Sequence, residues 1–474
     1  MIETNIENLN NELLDIVKLF YPDNFEKIDI RHIYSDGEDI NFFCILGKEY
    51  YKKYNFAEYY AKYNISRVLK YAIKADLFEI LSKTSGKDIL WGCLTGIRPV
   101  RLYKDIFLQM KEETNRIFKD FFRISDEKLE LLQKIVKNQQ IVPPFLKNDC
   151  DIYIGIPFCK GKCHYCSFVS ADINKSENLV APFIDALLLE IAAIKELVKE
   201  KGLNVRSLYI GGGTPSSLPH AFLKSVLKAL DWLDCREYTF EAGRPDTVDY
   251  ELLSLLKEYN VNRISINPQT SNDGTLKLIG RNHTYPDIIK AYELSKKFNF
   301  DVNMDLIAGL ANEDLAIFKK SLNDIIDLNP ENITIHTLAL KRGSGLKIDI
   351  EKKKRNGIAV ESIVKSGEVA KMLDYAKSEL LKKGFEPYYL YKQKYAADNL
   401  ENTGYCRDEK VCIYNVDNMD DNCTVLACGA NAISKRVFQN NGRIERYANP
   451  KDIKTYIEKI DIIIKEKKKL YDII

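Results

Sequence analysis

The chain has 474 residues, of which 45% are hydrophobic and 29% are charged, so it is an ordinary globular composition with room for two or three domains. Its 70 basic and 68 acidic side chains give a formal net charge of +2, which excludes a global field that would attract nucleic acid or an anionic membrane. We therefore expect no nucleic-acid partner, and any anionic ligand must be bound by local charges.

The start of the chain and its cysteines indicate the compartment. The stretch after Met1 is polar and acidic, and no later run approaches the roughly 20 apolar residues of a membrane span. The 11 cysteines are an odd number, scattered except for one tight group, which argues against a disulfide framework. We expect a cytoplasmic monomer with reduced thiols, a metal site and no membrane span.

Residues 1–145 form a separate α+β module in our interpretation. The segment NLNNELLDIVKLFY has a helical pattern, DGEDINFFCILGKEYY predicts a hairpin, and further helices follow as far as QKIVKNQQ. The segment IVPPFLKND carries a proline pair and polar residues that are typical of a linker, which places a domain boundary near Ile141.

Residues 146–345 repeat a short β-rich run, a turn and an amphipathic helix. Alternating strands and helices predict parallel strands, in either an open α/β sheet or a full or partial barrel. In both architectures ligands collect at the carboxyl ends of the strands. The six predicted strands are 151–157, 206–212, 238–243, 262–268, 302–309 and 333–339.

Residues 346–474 are predicted to be mostly helical. A helix over EVAKMLDYAKSELLKKG precedes a Tyr-rich segment, and IEKIDIIIKEKKKLYDII predicts a terminal amphipathic helix. Four cysteines here are loosely spaced, and unpaired thiols in a reducing compartment explain them better than a second metal site. They are Cys406, Cys412, Cys423 and Cys428.

Three cysteines, Cys159, Cys163 and Cys166, follow the first predicted strand in IGIPFCKGKCHYCSF. Three thiolates from one loop can bind three irons of a [4Fe-4S] cluster and leave the fourth iron open. S-adenosylmethionine (SAM) can chelate that iron through its amino and carboxylate groups, and an electron from the cluster then cleaves a carbon–sulfur bond of SAM. The resulting 5′-deoxyadenosyl radical can remove a hydrogen atom from an unactivated carbon. The alternatives are inert core cysteines or a structural zinc site. A tetrahedral zinc ion needs a fourth ligand, and the adjacent His164 cannot easily provide it together with its own neighbours.

Glycine and polar residues stand where the other predicted strands end. Gly211, Gly212 and Gly213 follow the second strand without the Lys-Ser/Thr of a nucleotide loop, and such a turn lets backbone approach a ligand closely. The polar residues would surround one cleft, although any of them alone is more often a cap or a surface ion pair. They are Glu241, Gln269, Arg281 and Asp305.

Together these motifs resemble the HemZ-type branch of the oxygen-independent coproporphyrinogen III oxidase family, within the radical SAM superfamily. The resemblance covers nearly the full chain, and it implies a partial (β/α)6 barrel whose mouth is capped by the C-terminal region. It is carried by WGCLTGIRPVRL, IPFCKGKCHYCSF, GGGTPSSL, FEAGRPDT, RISINPQT, LIGRNHT, DLIAGL, YYLYKQKYAADNLENTGY and CIYNVDNMDD.

The resemblance also implies which residues contact the cofactors. The cluster is held by the three cysteines, and some of the SAM contacts serve a second SAM molecule. No side chain is implied as a catalytic acid or base. The implied SAM contacts are Tyr153, Tyr165, Gly212, Gly213, Thr214, Glu241, Gln269, Arg281, Asp305 and Ala339.

The implied reaction is oxidative decarboxylation of two propionate side chains of coproporphyrinogen III to vinyl groups, with one SAM consumed for each. A low-potential electron donor of the flavodoxin or ferredoxin type would reduce the cluster. A substrate with four carboxylates needs cations near the barrel mouth. The candidates by position alone are Arg244, Lys341, Arg342, Lys435 and Arg436.

Two positions depart from the best-characterised branch of the family. Phe168 stands where that branch has a further cysteine, and Gly155 stands where it has a histidine. Two alternative functions therefore stay open: a heme-binding chaperone of the same superfamily, and a radical SAM enzyme that opens heme anaerobically.

Overall fold

The computed structural model describes residues 2–22, 24–35, 38, 40–54, 68–96, 98–341, 343–355, 367–393, 396, 399–438 and 442–472. The chain forms two compact units, one made of Met1–Lys137 with Tyr391–Glu401 and the other of Asn138–Leu390 with Asn402–Ile474. The division of the sequence into three domains stays a prediction. No helix among the described residues is both long and apolar enough to cross a membrane.

The N-terminal unit contains a four-stranded sheet and helices. Its strands are β1 (Ile2–Thr4), β2 (Ile30–Ser35), β3 (Ile40–Ile45) and β4 (Lys48–Lys53), and its helices are α1 (Asn10–Phe20), α2 (Val68–Ser85), α3 (Pro99–Met110), α4 (Thr114–Asp120) and α5 (Asp126–Asn138). The strand order is β1-β2-β3-β4, with β1 parallel to β2 and the other pairs antiparallel. The predicted hairpin is β3–β4, which turns through Leu46 and Gly47 at φ values of 49° and 78°.

A buried ionic cluster lies inside this unit. Lys128 Nζ donates to Glu401 Oε1 at 2.8 Å, and Trp91 Nε1 donates to Glu401 Oε2 at 2.6 Å. Lys392 Nζ donates to the Leu94 carbonyl at 2.7 Å and lies 5.1 Å from the centroid of the Trp91 ring. Burial lowers the pKa of Lys392 to about 7, because an apolar environment disfavours the charged ammonium.

The buried Lys392 predicts a pH dependence of stability. Its pKa of about 7 in the folded protein lies below the value of about 10.4 for an unfolded lysine. Between these values the unfolded chain binds more protons, so stability rises with pH, by at most about 1.4 kcal/mol per pH unit. We expect the melting temperature of the wild type to increase relative to that of Lys392→Met as the pH rises through this window. A constant difference between the two proteins would contradict the prediction.

The rest of the chain contributes the α/β part of the fold. Its strands are β5 (Asp149–Ile156), β6 (Phe158–Cys159), β7 (Ala171–Asp172), β8 (Asn204–Gly212), β9 (Glu237–Gly243), β10 (Arg263–Ile266), β11 (Asp301–Ala308), β12 (Asn332–Thr337), β13 (Glu386–Lys392), β14 (Glu401–Cys406), β15 (Thr424–Cys428), β16 (Ile433–Val437) and β17 (Ile444–Ala448). Its helices are α6 (Glu177–Lys201), α7 (His220–Leu230), α8 (Tyr250–Glu258), α9 (Asp273–Leu278), α10 (Tyr285–Lys297), α11 (Leu315–Leu328), α12 (Gly345–Arg355), α13 (Glu368–Lys382), α14 (Ile413–Asp420), α15 (Ile453–Glu458) and α16 (Ile460–Asp472).

Six parallel strands form the middle of an 11-stranded sheet, in the order β12-β11-β10-β9-β8-β5. They are the six predicted strands, and each observed boundary falls within two residues of the predicted one. Helices alternate with these strands, and the sheet has free ends in the described part of the chain. The prediction of a partial (β/α)6 barrel is therefore confirmed.

The C-terminal part of the chain extends this sheet at both ends. At one end β14 pairs antiparallel with β12 and β13 lies beyond it; at the other, β15 pairs parallel with β5 and is followed by antiparallel β16 and β17. The helices predicted here are present, but these five strands were not predicted. Nearly every residue of β13 and β14 is buried, so their sequences lack the polar alternation that reveals a half-exposed strand.

Candidate functional site

The cysteine loop begins where β5 ends, and the turn after β8 packs directly against it. Gly213 N donates to the Ile156 carbonyl and Thr214 N donates to the Phe158 carbonyl, each at 2.7 Å. A Cβ at Gly213 would lie 2.5 Å from the Phe158 carbonyl oxygen and 2.9 Å from Cys159 Sγ. A residue with a Cβ would not fit in this space. Glycine at position 213 therefore allows the turn to pack directly against the first cysteine of the loop.

The three predicted metal-ligating cysteines are all half-buried. The loop is closed between the second and the third, where Cys166 N donates to the Cys163 carbonyl at 3.0 Å. Burial raises the pKa of the Cys166 thiol, and the nearby Cys163 and Cys159 raise it further. The three sulfur atoms are therefore near enough to interact electrostatically.

The three thiols of the loop provide the soft ligands that an iron–sulfur cluster requires. Among the residues that the structure describes, the three sulfur atoms do not all lie within 4.8 Å of one another. The sulfur ligands of a tetrahedral zinc ion, at about 2.3 Å from the metal, would lie about 3.8 Å apart. Three soft thiols on one short loop, not grouped closely enough for a single ion, are able to serve as ligands at three corners of a larger cluster.

Glu241 lies at the exit of β9, next to the same glycine turn. Tyr209 Oη donates to Glu241 Oε1 at 2.5 Å, and a Cβ at Gly211 would lie 2.7 Å from Oε2. Burial raises the pKa of Glu241 to about 7, and the charge of Asp305 also raises it. This carboxyl group can therefore change its charge near neutral pH.

Asp305 lies on β11, and its surroundings favour the ionised form. Burial alone would raise its pKa, but His336 Nε2, 3.4 Å from Oδ2, and Asn303, which donates to Oδ1 at 2.8 Å, lower it below its usual value. Gln269, at φ 70°, is tied to β11 because its N donates to the Asp305 carbonyl at 2.8 Å. The buried Gln269 Oε1 has no hydrogen-bond partner in the described protein, so it can accept a hydrogen bond from a ligand.

Arg281 connects the exit of β10 to the cysteine loop. Its buried guanidinium lies against Tyr165 and Cys163, and Nη1 donates to the Asn267 carbonyl. Its Nε has no hydrogen-bond partner among the described atoms. Burial raises the pKa of Tyr165, so this phenol stays neutral beside the arginine.

Tyr153 belongs to a stack of three tyrosines. Its ring centroid lies 6.2 Å from that of Tyr209 and 6.1 Å from that of Tyr414, and the last two are 4.5 Å apart. Tyr414 lies on α14 in the C-terminal segment, and neither it nor His336 was selected from the sequence as part of the site. Their contacts come from long-range packing, and no local pattern indicates them.

The segment after β12 packs onto the cysteine loop. Lys162 Nζ donates to the Gly343 carbonyl at 3.0 Å, and Leu346 N donates to the His164 carbonyl at 2.9 Å. Ala339, at the start of this segment, accepts a hydrogen bond through its carbonyl from Lys341 N at 3.0 Å. Apart from Ala339 and Gly212, the predicted residues are linked by the contacts described above into one cluster, and the roles of all of them in binding a cofactor stay predictions.

Two of the cations predicted for substrate binding belong to β16, which lies between β15 and β17 in the sheet. Lys435 Nζ is paired with the buried Asp421 at 2.7 Å, and Arg436 Nη1 donates to the Leu470 carbonyl at 3.2 Å. Their positive groups are thus used in contacts within the protein.

The other three predicted cations differ in whether their charged groups have partners within the protein. Arg244 pairs with Asp246 at 3.0 Å, and Arg342 lies outside the described residues. Lys341 Nζ forms neither a hydrogen bond nor an ion pair with any residue that the structure describes.

Comparisons with known proteins match residues 153–325 to the Radical SAM superfamily. The oxygen-independent coproporphyrinogen-III oxidase-like protein HemZ of Bacillus subtilis is 38% identical over 410 residues, which cover 84% of this chain and 80% of that protein. The heme chaperone HemW of Buchnera aphidicola subsp. Schizaphis graminum is 31% identical over 312 residues, 65% of this chain and 75% of that protein. The solved structure of coproporphyrinogen III oxidase HemN from Escherichia coli covers 68% of this chain and 72% of its own at a TM-score of 0.52 and 20% identity, which supports the fold alone.

The fold and the cysteine loop thus define a radical SAM protein, a class that uses a [4Fe-4S] cluster and SAM. Within that class, the chain belongs to the family of HemZ, the oxygen-independent coproporphyrinogen-III oxidase-like proteins. The resemblance carried by the sequence motifs is confirmed.

Removing one cysteine of the loop tests the assignment of the cluster. We expect Cys163→Ala to lose the visible absorbance of the cluster and all SAM cleavage, because two thiolates cannot hold the cubane. Cys235→Ala, at a half-buried thiol outside the loop, is the matched control and should retain both. SAM cleavage by Cys163→Ala would contradict the assignment.

The contact at Gly213 predicts a second effect on iron content. In Gly213→Ala the new Cβ would collide with the backbone at Phe158 and with Cys159, so the loop must move, and we expect the iron bound per protein to fall. Gly96→Ala is the control, because a Cβ there meets nothing within 4 Å. Equal iron in the two variants after reconstitution would show that the contact does not position the loop.

Proposed function

We propose that this protein oxidatively decarboxylates two propionate side chains of coproporphyrinogen III, giving the vinyl groups of protoporphyrinogen IX. The observation that carries the proposal is the similarity to HemZ across 84% of the chain, together with a loop of three half-buried cysteines that can hold a [4Fe-4S] cluster. For each propionate, one hydrogen atom leaves the β-carbon, CO2 leaves from the carboxylate and one electron passes to an acceptor. The substrate must come from a reaction that supplies a tetrapyrrole still bearing these propionates.

The bound cofactors would supply reductive cleavage of SAM and the hydrogen-abstracting radical. We infer that Cys159, Cys163 and Cys166 hold the cluster. The carboxyl groups of Glu241 and Asp305, when ionised, can accept hydrogen bonds from the ammonium group of SAM. Arg281 can pair with the carboxylate of SAM. An ammonium ligand would also favour the charged form of Glu241.

We also infer the setting in which the protein works. All 11 cysteines are free, which suits a reducing compartment, and we place the protein in the cytoplasm as a monomer. A low-potential donor of the flavodoxin or ferredoxin type would supply the electron to the cluster. The buried side chains around the site limit the access of water, which protects a reactive radical.

A heme-binding chaperone is the second candidate. HemW, a heme chaperone, is 31% identical over 65% of this chain. Phe168, a residue that is 65% exposed just after the cysteine loop, stands where the best-characterised oxidase branch has a cysteine. An exposed aromatic ring can pack on a flat macrocycle without any redox step.

The proposal is tested by an anaerobic reaction of the cluster-loaded protein with coproporphyrinogen III, SAM and a low-potential reductant. Chromatography of the oxidised porphyrins should show protoporphyrin, with about two 5′-deoxyadenosines formed per product, since each propionate loses one hydrogen atom. Cys163→Ala, treated identically, is the control for reaction without a cluster. An intact cluster with unchanged porphyrin would contradict the oxidase, and tight heme binding in that case would favour the chaperone.

A further inference from the structure

Lys341 lies in the segment that leaves the last of the six parallel strands. Its backbone is fixed by a turn: Lys341 N donates to the Ala339 carbonyl at 3.0 Å, and Ser344 donates to the Lys341 carbonyl from N at 3.3 Å and from Oγ at 3.0 Å. The side chain therefore starts from a held position beside the predicted site.

The ammonium of Lys341 differs from the other lysines near the cysteine loop. Lys160 Nζ donates to the Asp246 carbonyl at 3.4 Å and Lys162 Nζ donates to the Gly343 carbonyl at 3.0 Å, whereas Lys341 Nζ has no such partner in the described part of the chain. Lys341 is half-buried and near enough to interact electrostatically with Cys166. Partial burial of a charge costs free energy unless an opposite charge accompanies it, and apart from the Cys166 sulfur no described residue supplies one to Lys341.

We propose that Lys341 binds a carboxylate of a ligand held at the carboxyl ends of the six strands. The described residues around it leave its three N–H donors free, and an ammonium suits a carboxylate through charge-assisted hydrogen bonds. Two ligands of this site carry carboxylates: SAM, and a tetrapyrrole with propionates. That a tetrapyrrole is one of these ligands rests on the proposed function.

The chemistry limits which propionate Lys341 can bind. A cation on the reacting carboxylate would stabilise its negative charge before reaction, while the departing CO2 is neutral, so the barrier to decarboxylation would rise. A propionate at Lys341 is therefore one that is not reacting and that orients the macrocycle.

Binding measurements on the cluster-loaded protein test the proposal. The variants are Lys341→Met, Lys341→Arg, which keeps the charge, and Lys352→Met as the control at an exposed lysine of α12. SAM and coproporphyrin III are titrated separately under anaerobic conditions, and iron content verifies that each variant holds its cluster. We expect Lys341→Met to weaken one of the two ligands by about tenfold or more, with Lys341→Arg closer to wild type.

Each outcome decides the proposal. Weaker coproporphyrin III binding alone identifies a propionate, and weaker SAM binding alone identifies the SAM carboxylate. Unchanged affinity for both ligands, or an equal loss in Lys352→Met, overturns it. If the wild type binds no coproporphyrin III, the proposed function loses its substrate, and the role of Lys341 is decided by SAM binding alone.

Discussion

The backbone contact between the turn after β8 and the cysteine loop is the constraint on which the site depends. Gly213 lies so close to Phe158 and Cys159 that a single added carbon would overlap them, and hydrogen bonds on both sides of the contact fix its register. The same turn brings Gly211 against the carboxyl group of Glu241. One run of glycines thereby sets the distance between the cysteine loop and the polar groups of the neighbouring strands, which side chains alone could not hold with comparable rigidity.

Two neighbouring carboxyl groups in this site are pushed in opposite directions by their surroundings. Burial and the charge of Asp305 raise the pKa of Glu241 to about 7, whereas His336 and Asn303 outweigh the burial of Asp305 and lower its pKa. Their mutual repulsion makes it costly to ionise both without a cation nearby. A ligand ammonium would remove this cost, which suits the binding of an amino-acid-derived cofactor such as SAM.

The C-terminal residues Asn402–Ile474 belong to the same compact unit as the six parallel strands. Tyr414 completes the tyrosine stack beside the site. Farther along the chain, Tyr456 Oη donates to the buried Glu190 of α6 at 2.6 Å, and Lys467 of α16 is paired with the same carboxyl group. A buried carboxylate with several donors is expensive to leave unpaired, so these contacts hold the terminal helices in place against α6. Changes far from the cysteine loop in sequence can therefore disturb the packing of the barrel.

The sequence by itself determined the six parallel strands, the cysteine loop and the glycine turn, because these depend on local periodicity and on short motifs whose chemistry is carried by adjacent residues. It also predicted Glu241, Gln269, Arg281 and Asp305 as polar neighbours of a ligand, since the end of a parallel strand is a predictable place for one, and their role in binding stays a prediction. The tertiary structure alone decided that His336 pairs with Asp305, that Tyr414 stacks on the site and that C-terminal strands extend the sheet. It also separated Lys341 from Arg244 and Lys435, which are equivalent in sequence as cations. The partner of a charged side chain is set by residues distant in the chain, and only folding brings those residues together.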